Sequence, residues 1–162
     1  YVKGRFKSLL ISSDGEKYSP EGIEEALVEK SPFIDQVMLY NNQCATTTAL
    51  VVPNKDALRR YLKDNGQKLE SEEGKKMALL KLESELARFK KGGEFQGMFP
   101  ERWLPSSFAV LAEPFTEQNQ MINSTMKMVR PKIEKAYKER IDYMYTSEGK
   151  QTLNQQNIDA IA

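Results

Sequence analysis

The chain has 162 residues, 40 % of them hydrophobic and 29 % charged, which are ordinary values for one globular domain. Its 24 Lys and Arg residues against 23 Asp and Glu give a net charge of +1, without the basic excess typical of nucleic-acid-binding proteins. Histidine is absent and Cys44 is the single cysteine, which excludes an intrachain disulfide, a Cys/His zinc site and histidine-dependent nucleophilic catalysis. We therefore expect lysine, arginine and backbone amides to carry any catalysis.

The opening stretch, YVKGRFKSLLIS, reads as part of a strand and has no initiator methionine, so we expect the chain to be a piece of a longer protein. It contains no signal-like apolar segment, which together with the single cysteine favours a reducing, cytoplasmic location. No apolar run in the sequence approaches the roughly 18 residues of a membrane span.

The first predicted element is a β-ribbon over residues 4–18. RFKSLLI is strand-like, and Asp14-Gly15 marks a hairpin turn because glycine adopts positive φ without steric cost. A helix is predicted to follow, with Ser19 as its N-cap and Pro20 at its first position.

A β-hairpin is predicted next, with strands at 34–40 and 46–52. The first strand, IDQVMLY, combines alternation with a continuous apolar end, and the second, TTTALVV, is rich in β-branched residues. The intervening NNQCA reads as a turn-like connection between the two strands.

Residues 55–92 are predicted to be helical in two pieces, broken at Asn65-Gly66. In the second piece leucines recur at helical spacing among Lys and Glu, which we interpret as core packing. FAVLA at 108–112 predicts a third buried strand, and Pro131 marks the start of a last helix. The predicted apolar face of that helix consists of Ile133, Ala136, Tyr137, Ile141 and Met144.

This order of elements predicts an α+β fold, in which an N-terminal two-stranded ribbon is followed by a small sheet of about three strands backed by helices. We divide the chain into the ribbon at 1–18, a main domain at 19–145 with a helical insertion at 55–92, and a polar C-terminal tail at 146–162.

One lysine stands apart from the charge clusters of the rest of the chain. Lys127 follows four uncharged residues in the stretch INSTMKMVRP, which we predict to be a loop before the last helix. A lysine ammonium is a compact charge suited to a carboxylate or phosphate oxygen. Asn123, Ser124 and Thr125 are expected to hold the shape of this loop through hydrogen bonds to the backbone. Taken alone, a loop lysine is more often simply solvated.

A family resemblance rests on two motifs, one near each end of the chain. The first consists of Gly4, Arg5, Lys7, Asp14, Gly15, Pro20, Ile23 and Glu24. The second is Ser124-Thr125-Met126-Lys127-Met128-Val129-Arg130. In this order they resemble the C-terminal domain of adenylate-forming enzymes, which include acyl-CoA synthetases, peptide-synthetase adenylation domains and luciferases. The spacing, the insertion at 55–92 and Met126, where many members have glycine, are most similar to long-chain fatty acid–CoA ligases.

The resemblance implies a two-step chemistry. A fatty acid attacks ATP to give an acyl-adenylate and pyrophosphate, and the thiol of coenzyme A then displaces AMP. A large N-terminal adenylation domain binds ATP, Mg²⁺ and the acyl chain, and the C-terminal domain closes over it in a different orientation for each step. This chain would thus have its own N-terminal domain as partner, would be inactive in isolation, and would bind no nucleic acid. Fatty-acid substrates leave peripheral membrane contact open.

The resemblance also implies a role for each motif residue. Lys127 is the expected catalytic lysine of the adenylation step, at the substrate carboxylate and the α-phosphate. Lys7 falls at the hinge position, and Arg5 is expected near the ribose and phosphates of the nucleotide. No residue is assigned to a metal ion. Glu24 is interpreted as a structural rather than a catalytic carboxylate.

The ribbon tip is assigned to the second step. Asp14, Gly15 and Glu16 are expected to enter the active site during thioester formation, where glycine lets the backbone approach the pantetheine thiol closely. Two alternatives stay open at this point. One is a free-standing α+β module that binds protein or RNA, and the other is the same domain from an aryl- or short-chain-CoA ligase, because acyl specificity would lie in the N-terminal domain.

Overall fold

A computed structural model describes residues 9–44, 46–125 and 127–161. The strands are β1 (Leu10–Ser12), β2 (Lys17–Tyr18), β3 (Ile34–Tyr40), β4 (Asn42–Cys44), β5 (Thr47–Pro53) and β6 (Pro105–Val110). The helices are α1 (Glu21–Lys30), α2 (Lys55–Asp64), α3 (Glu72–Ala87), α4 (Arg130–Ala136), α5 (Lys138–Tyr143) and α6 (Gln155–Ile161), with a short 3₁₀ turn at Glu101–Trp103. The predicted α+β class, with a ribbon and a three-stranded sheet backed by helices, is confirmed.

The central sheet has the strand order β3-β5-β6. β3 and β5 form the predicted antiparallel hairpin, whereas β5 and β6 are parallel. Parallel neighbours need a crossover connection, and α2 and α3 lie within that connection. Every residue of β5 is buried, which explains why its sequence is a nearly continuous run of β-branched and apolar residues.

Both faces of the central sheet are covered by apolar side chains. Ala49 and Val51 belong to a core that also contains side chains of α1, α2, α3 and α6. Leu50 and Val52 point to the opposite face and belong to a second core with α4 and α5. This alternation follows from the two-residue period of a strand and gives the domain three layers.

The ribbon continues into a second sheet, with the order β2-β1-β4. β1 and β2 are antiparallel, as predicted, but β1 also pairs in parallel with β4. The prediction that NNQCA is only a turn was therefore wrong in part, because Asn42–Cys44 is a strand. The amides of Ile11 and Ser13 donate hydrogen bonds to the carbonyls of Asn41 and Cys44, at 3.2 and 3.0 Å. These bonds pair the backbone amides on the edge of β1 that faces away from β2.

Two predicted helix boundaries were wrong. Helix α1 begins at Glu21 after Pro20, which already has φ −79° and ψ −20°, and no side chain caps it, so Ser19 is not the N-cap. The last predicted helix is two helices, α4 and α5, because Tyr137 leaves helical geometry at φ −113° and ψ 24°. Ala136, predicted to be on the apolar face, is exposed.

Helix α6 packs against α3 and β6, which its polar composition did not indicate. Asn157 is fully buried at the edge of β6. Its Oδ1 accepts a hydrogen bond from the amide of Val110 at 2.9 Å, and its Nδ2 donates to the carbonyl of Phe108 at 3.2 Å. One side chain thereby provides the hydrogen bonds that a further strand would make. The predicted segment boundaries at residues 18 and 145 stay predictions.

Replacing Asn157 by alanine is expected to lower the free energy of unfolding by about 2–4 kcal/mol, because the edge groups of Val110 and Phe108 are left buried without partners. Urea denaturation measures the effect. Gln155→Ala, on an exposed position of the same helix, is the matched control and is expected to change stability by less than about 0.5 kcal/mol. Equal unfolding midpoints for the two variants would contradict this account of α6.

Candidate functional site

The stretch that carries Lys127 is a closed loop, which we call the Lys127 loop (residues 122–128). Its ends meet in an antiparallel bridge between Ile122 and Met128. The amide of Asn123 donates to the carbonyl of Lys127 at 2.9 Å, and the amide of Val129 donates to the carbonyl of Met121 at 2.8 Å. The buried side chain of Ile122 fixes the base of the loop in the core. Lys127 itself is exposed.

Asn123 holds the interior of the loop. Its Oδ1 accepts three hydrogen bonds, from the amide of Thr125 at 3.0 Å, the hydroxyl of Thr125 at 2.7 Å and the amide of Lys127 at 3.0 Å. The prediction that polar side chains hold the loop through hydrogen bonds to the backbone is confirmed for Asn123, whereas the hydroxyl of Thr125 bonds to the Asn123 side chain. The backbone amide and carbonyl of Lys127 are both hydrogen-bonded to Asn123. The conformation of the loop at Lys127 is therefore held by backbone contacts and does not depend on the lysine side chain.

A buried ion pair anchors the C-terminal side of the loop. Arg130, the first residue of α4, donates two hydrogen bonds to the carboxylate of Glu24 on α1, one of them from Nη1 to Oε2 at 2.9 Å. Glu24 Oε2 also accepts from the amide of Leu39 on β3 at 2.7 Å. Burial raises the pKa of Glu24, and the hydrogen bond from Arg130 opposes that shift. Both residues are motif positions, but nothing in the sequence indicated that they touch.

The Lys127 loop borders a shallow groove of about 1640 Å³. Helix α1 lines the groove, and strand β2 of the ribbon contributes to it as well. The lining includes Lys17, Tyr18, Glu25, Asn123, Lys127 and Met128. The structure thus places the predicted catalytic loop and the base of the predicted thioester ribbon on one continuous surface.

The ribbon tip is a tight turn that needs glycine. Gly15 has φ +89°, a conformation that residues with a side chain rarely adopt, and its amide donates to the carbonyl of Ser12 at 3.0 Å. Asp14 Oδ1 accepts from the hydroxyl of Ser12 and from the amide of Glu16, at 3.1 Å in the second case. These contacts, that of Ser12 foremost, lower the pKa of Asp14. Among the described residues, a β-carbon on Gly15 would meet no atom within 4 Å, so the tip faces open space there.

Glu16 is held by a residue that the sequence did not point to. Arg102 donates to both of its carboxylate oxygens at 2.7 Å and thereby lowers its pKa. Beside this pair, the ring of Tyr18 stacks on Trp103 at 5.2 Å between centroids. The ribbon is therefore braced against the Glu101–Trp103 turn, although 86 residues separate Glu16 from Arg102.

Acid titration is expected to reveal the ion pair between Glu16 and Arg102. Because Arg102 lowers the pKa of Glu16 below its ordinary 4.5, the pair persists above that value and is lost as the pH falls through the lowered pKa. The single tryptophan, Trp103, lies 5.8 Å from the Arg102 guanidinium, so its fluorescence should report the loss. In Arg102→Gln we expect the midpoint of the fluorescence change to move up toward pH 4.5. Glu16→Gln is the control without the titrating group, and coincident transitions in wild type and Arg102→Gln would contradict the assignment.

Several predicted site residues lie outside the described residues. Arg5 and Lys7, the expected nucleotide contact and hinge, are among them, as are Gly4 and Met126. Their roles stay predictions. Within the described ranges no group of three or more His, Cys, Asp or Glu side chains is placed to hold a metal ion. In the same ranges no helix has the length and apolar character to cross a membrane.

Comparison with known proteins supports the same relationship from sequence and from structure. No protein-family model matches the chain. A chloroplastic long-chain-fatty-acid–[acyl-carrier-protein] ligase of Arabidopsis thaliana is 27 % identical over 145 residues, covering 90 % of this chain and 18 % of that protein. A long-chain-fatty-acid–CoA ligase of Gallus gallus is 24 % identical over 181 aligned positions, covering 99 % of this chain and 23 % of that protein.

Among solved structures, the A-PCP didomain of carboxylic acid reductase from Segniliparus rugosus, in complex with AMP, matches with a TM-score of 0.62 at 28 % identity. The match covers 86 % of this chain and 17 % of that one. The chain thus spans about a fifth of the length of the curated relatives it matches. The predicted resemblance to adenylate-forming enzymes is confirmed. The names of the relatives give different acyl acceptors, an acyl carrier protein for one and coenzyme A for the other. The comparisons therefore support a resemblance to adenylate-forming enzymes in general and do not select one acceptor.

Proposed function

We propose that this chain is the C-terminal lid of an adenylate-forming ligase that activates a long-chain fatty acid with ATP and transfers the acyl group to coenzyme A. The observation that supports this most is the placement of the Lys127 loop and the β-ribbon on one groove, in a fold shared with adenylation domains. In the described residues neither the Lys127 loop nor the ribbon forms a complete active site, because each offers a single exposed element. We propose that an N-terminal adenylation domain, which binds ATP, Mg²⁺ and the fatty acid, completes the site.

In the first step, Lys127 supplies positive charge. Its ammonium stands on a loop whose backbone is fixed by Asn123, so the charge is presented to the second domain without reorganisation of the loop. As the carboxylate oxygen bonds to the α-phosphorus and the bond to pyrophosphate breaks, negative charge shifts from the carboxylate to the α-phosphate oxygens and the departing pyrophosphate. A fixed cation at that point stabilises the transition state more than the ground state.

In the second step, the domain turns and the ribbon tip takes the place of the lysine. Gly15 and the open space around it let the backbone lie against the pantetheine arm of coenzyme A, whose thiol displaces AMP. Asp14 and Glu16 shape and brace the tip through Ser12 and Arg102. Lys7 would absorb the rotation as the hinge, and Arg5 would contact the nucleotide.

A carrier protein is the second candidate acceptor, since one relative is named as an acyl-carrier-protein ligase. Its pantetheine thiol is chemically the same as that of coenzyme A, so the ribbon geometry suits both. An aryl- or short-chain-CoA ligase with the same lid also fits the comparisons. We place the enzyme in the cytoplasm, with peripheral membrane contact as a further part of the proposal.

The test uses the protein that joins this chain to its adenylation domain, with ATP and Mg²⁺. Palmitate, hexanoate and benzoate are compared as acids, and coenzyme A and an acyl carrier protein as acceptors, with AMP release and thioester mass as readouts. Palmitoyl-CoA is the expected product. Preference for hexanoate or benzoate would reject the long-chain assignment, and a requirement for the carrier protein would reject coenzyme A. A lack of acid-dependent ATP–pyrophosphate exchange with all three acids would reject the function as a whole.

A further inference from the structure

We propose that the buried pair of Glu24 and Arg130 is a positioning element for Lys127, and that it serves the adenylation step but not thioester formation. This inference rests on the proposed function of Lys127. It assigns a role to two residues that would otherwise be read as a structural contact.

The chain between the pair and the lysine is short and fully constrained. Arg130 follows Lys127 by three residues, and each intervening residue is held in place. Met128 is bridged to Ile122, and the amide of Val129 is bound to Met121 at 2.8 Å. A shift of Arg130 would therefore be transmitted to the C-terminal side of the Lys127 loop.

The other end of the pair is fixed in the core. Glu24 lies on α1, and its Oε2 accepts from Leu39 of the central sheet. The side chains of Glu24 and Arg130 are only 5 % and 9 % exposed. A two-pronged contact between a guanidinium and a carboxylate sets both distance and direction, so the start of α4 has one position relative to the sheet. Burying such a pair is a poor way to gain stability alone, because both charges lose their hydration.

Within the part of the ribbon that the structure describes, the pair has no hydrogen bond or ion pair to the ribbon. Glu24 bonds to Arg130 and Leu39, whereas the ribbon is held by β4 and by Arg102. Loss of the pair should displace the lysine and leave the ribbon tip where it is. Misplacement of a catalytic group by about 1 Å lowers rates by up to about 10²-fold.

The test variant is Glu24→Gln/Arg130→Met in the protein with its adenylation domain. It keeps an acceptor for the Leu39 amide and removes both buried charges, so neither is left uncompensated. We expect ATP–pyrophosphate exchange to fall about 10- to 100-fold and thioester formation from supplied acyl-adenylate to stay within about twofold of wild type. Arg130→Lys, which keeps the charge but loses the planar fork, is expected to lose less exchange activity.

Glu85 and Arg88 provide a matched control. Glu85 is also buried, its Oε1 accepts from Arg88 at 2.8 Å, and both residues lie at the end of α3, away from the groove lining. Glu85→Gln/Arg88→Met is expected to leave the ratio of the two half-reactions unchanged. Equal loss of both half-reactions in the Glu24/Arg130 variant, or unchanged exchange, would overturn the positioning role.

A third arm separates this inference from the proposed function. Adding Lys127→Ala to the Glu24/Arg130 variant is expected to cause no loss of exchange beyond that of Lys127→Ala alone, because the pair acts through the lysine. A further loss equal to that in the wild-type background would overturn the inference. If Lys127→Ala alone leaves exchange intact, the proposed role of Lys127 is rejected, whereas a lack of exchange in the wild-type protein would reject the proposed function itself.

Discussion

Lys127→Ala is expected to lower ATP–pyrophosphate exchange by about 10²- to 10³-fold, the usual effect of removing one fixed group that stabilises developing charge. The backbone contacts of Lys127 with Asn123 do not involve its side chain, so the variant should keep the loop and the fold. Thioester formation from supplied acyl-adenylate should stay within about twofold of wild type, because the proposed rotation of the domain takes the lysine out of the active site in that step.

Lys135→Ala is the matched control for this experiment. Lys135 is another exposed lysine, on the α4 helix that follows the loop, and its loss changes the net charge by the same amount. We expect exchange to be unaffected. Similar rates for Lys127→Ala and Lys135→Ala would show that the adenylation role is wrong and that Lys127 is a solvated loop residue.

Changes at Gly15 should have the opposite pattern. Gly15→Ala and Gly15→Leu share the strain of a side chain at φ +89°, but they differ in bulk. Within the described part of this chain a β-carbon at this position would meet no atom within 4 Å, so we expect any extra effect of leucine to come from what the tip approaches. We expect Gly15→Leu to lower thioester formation by at least about tenfold more than Gly15→Ala, and both to spare pyrophosphate exchange.

Gly97 offers the control for strain. It has φ +87° and open space around it, but it lies between α3 and the Glu101–Trp103 turn. Gly97→Leu should therefore leave both half-reactions near wild type. If Gly15→Leu and Gly15→Ala slow thioester formation equally, backbone strain explains the effect and the close approach of the pantetheine arm does not.

The local parts of this structure could be predicted from the sequence. Asp14-Gly15 gave the ribbon turn, because positive φ is a local property of glycine. The break between α2 and α3 falls where Asn65-Gly66 indicated it, and the β-branched run gave β5. The motif letters indicated Lys127 and Gly15 as the two working residues, although those roles stay predictions.

The contacts that hold these residues in place could not be predicted, since they join distant parts of the chain. Arg130 and Glu24 are 106 residues apart, and Arg102 and Glu16 are 86 apart. Charge and spacing do not select one partner among the many Lys, Arg, Asp and Glu residues of this chain. The packing of helix α6 could not be predicted for a different reason, because its key side chain is an asparagine that bonds to a sheet edge and not an apolar anchor.

That asparagine has a consequence for how the protein can be cut or tagged. In the described residues β6 is an edge strand of the central sheet, and an uncovered edge strand is a template on which another chain can add a strand. A protein truncated before α6 would expose this template together with the apolar groups beneath the helix. We therefore expect the truncated protein to self-associate to an extent that rises with its concentration. A simple loss of stability, which is unimolecular, would not depend on concentration. We therefore expect helix α6 to protect the solubility of the domain as well as its fold.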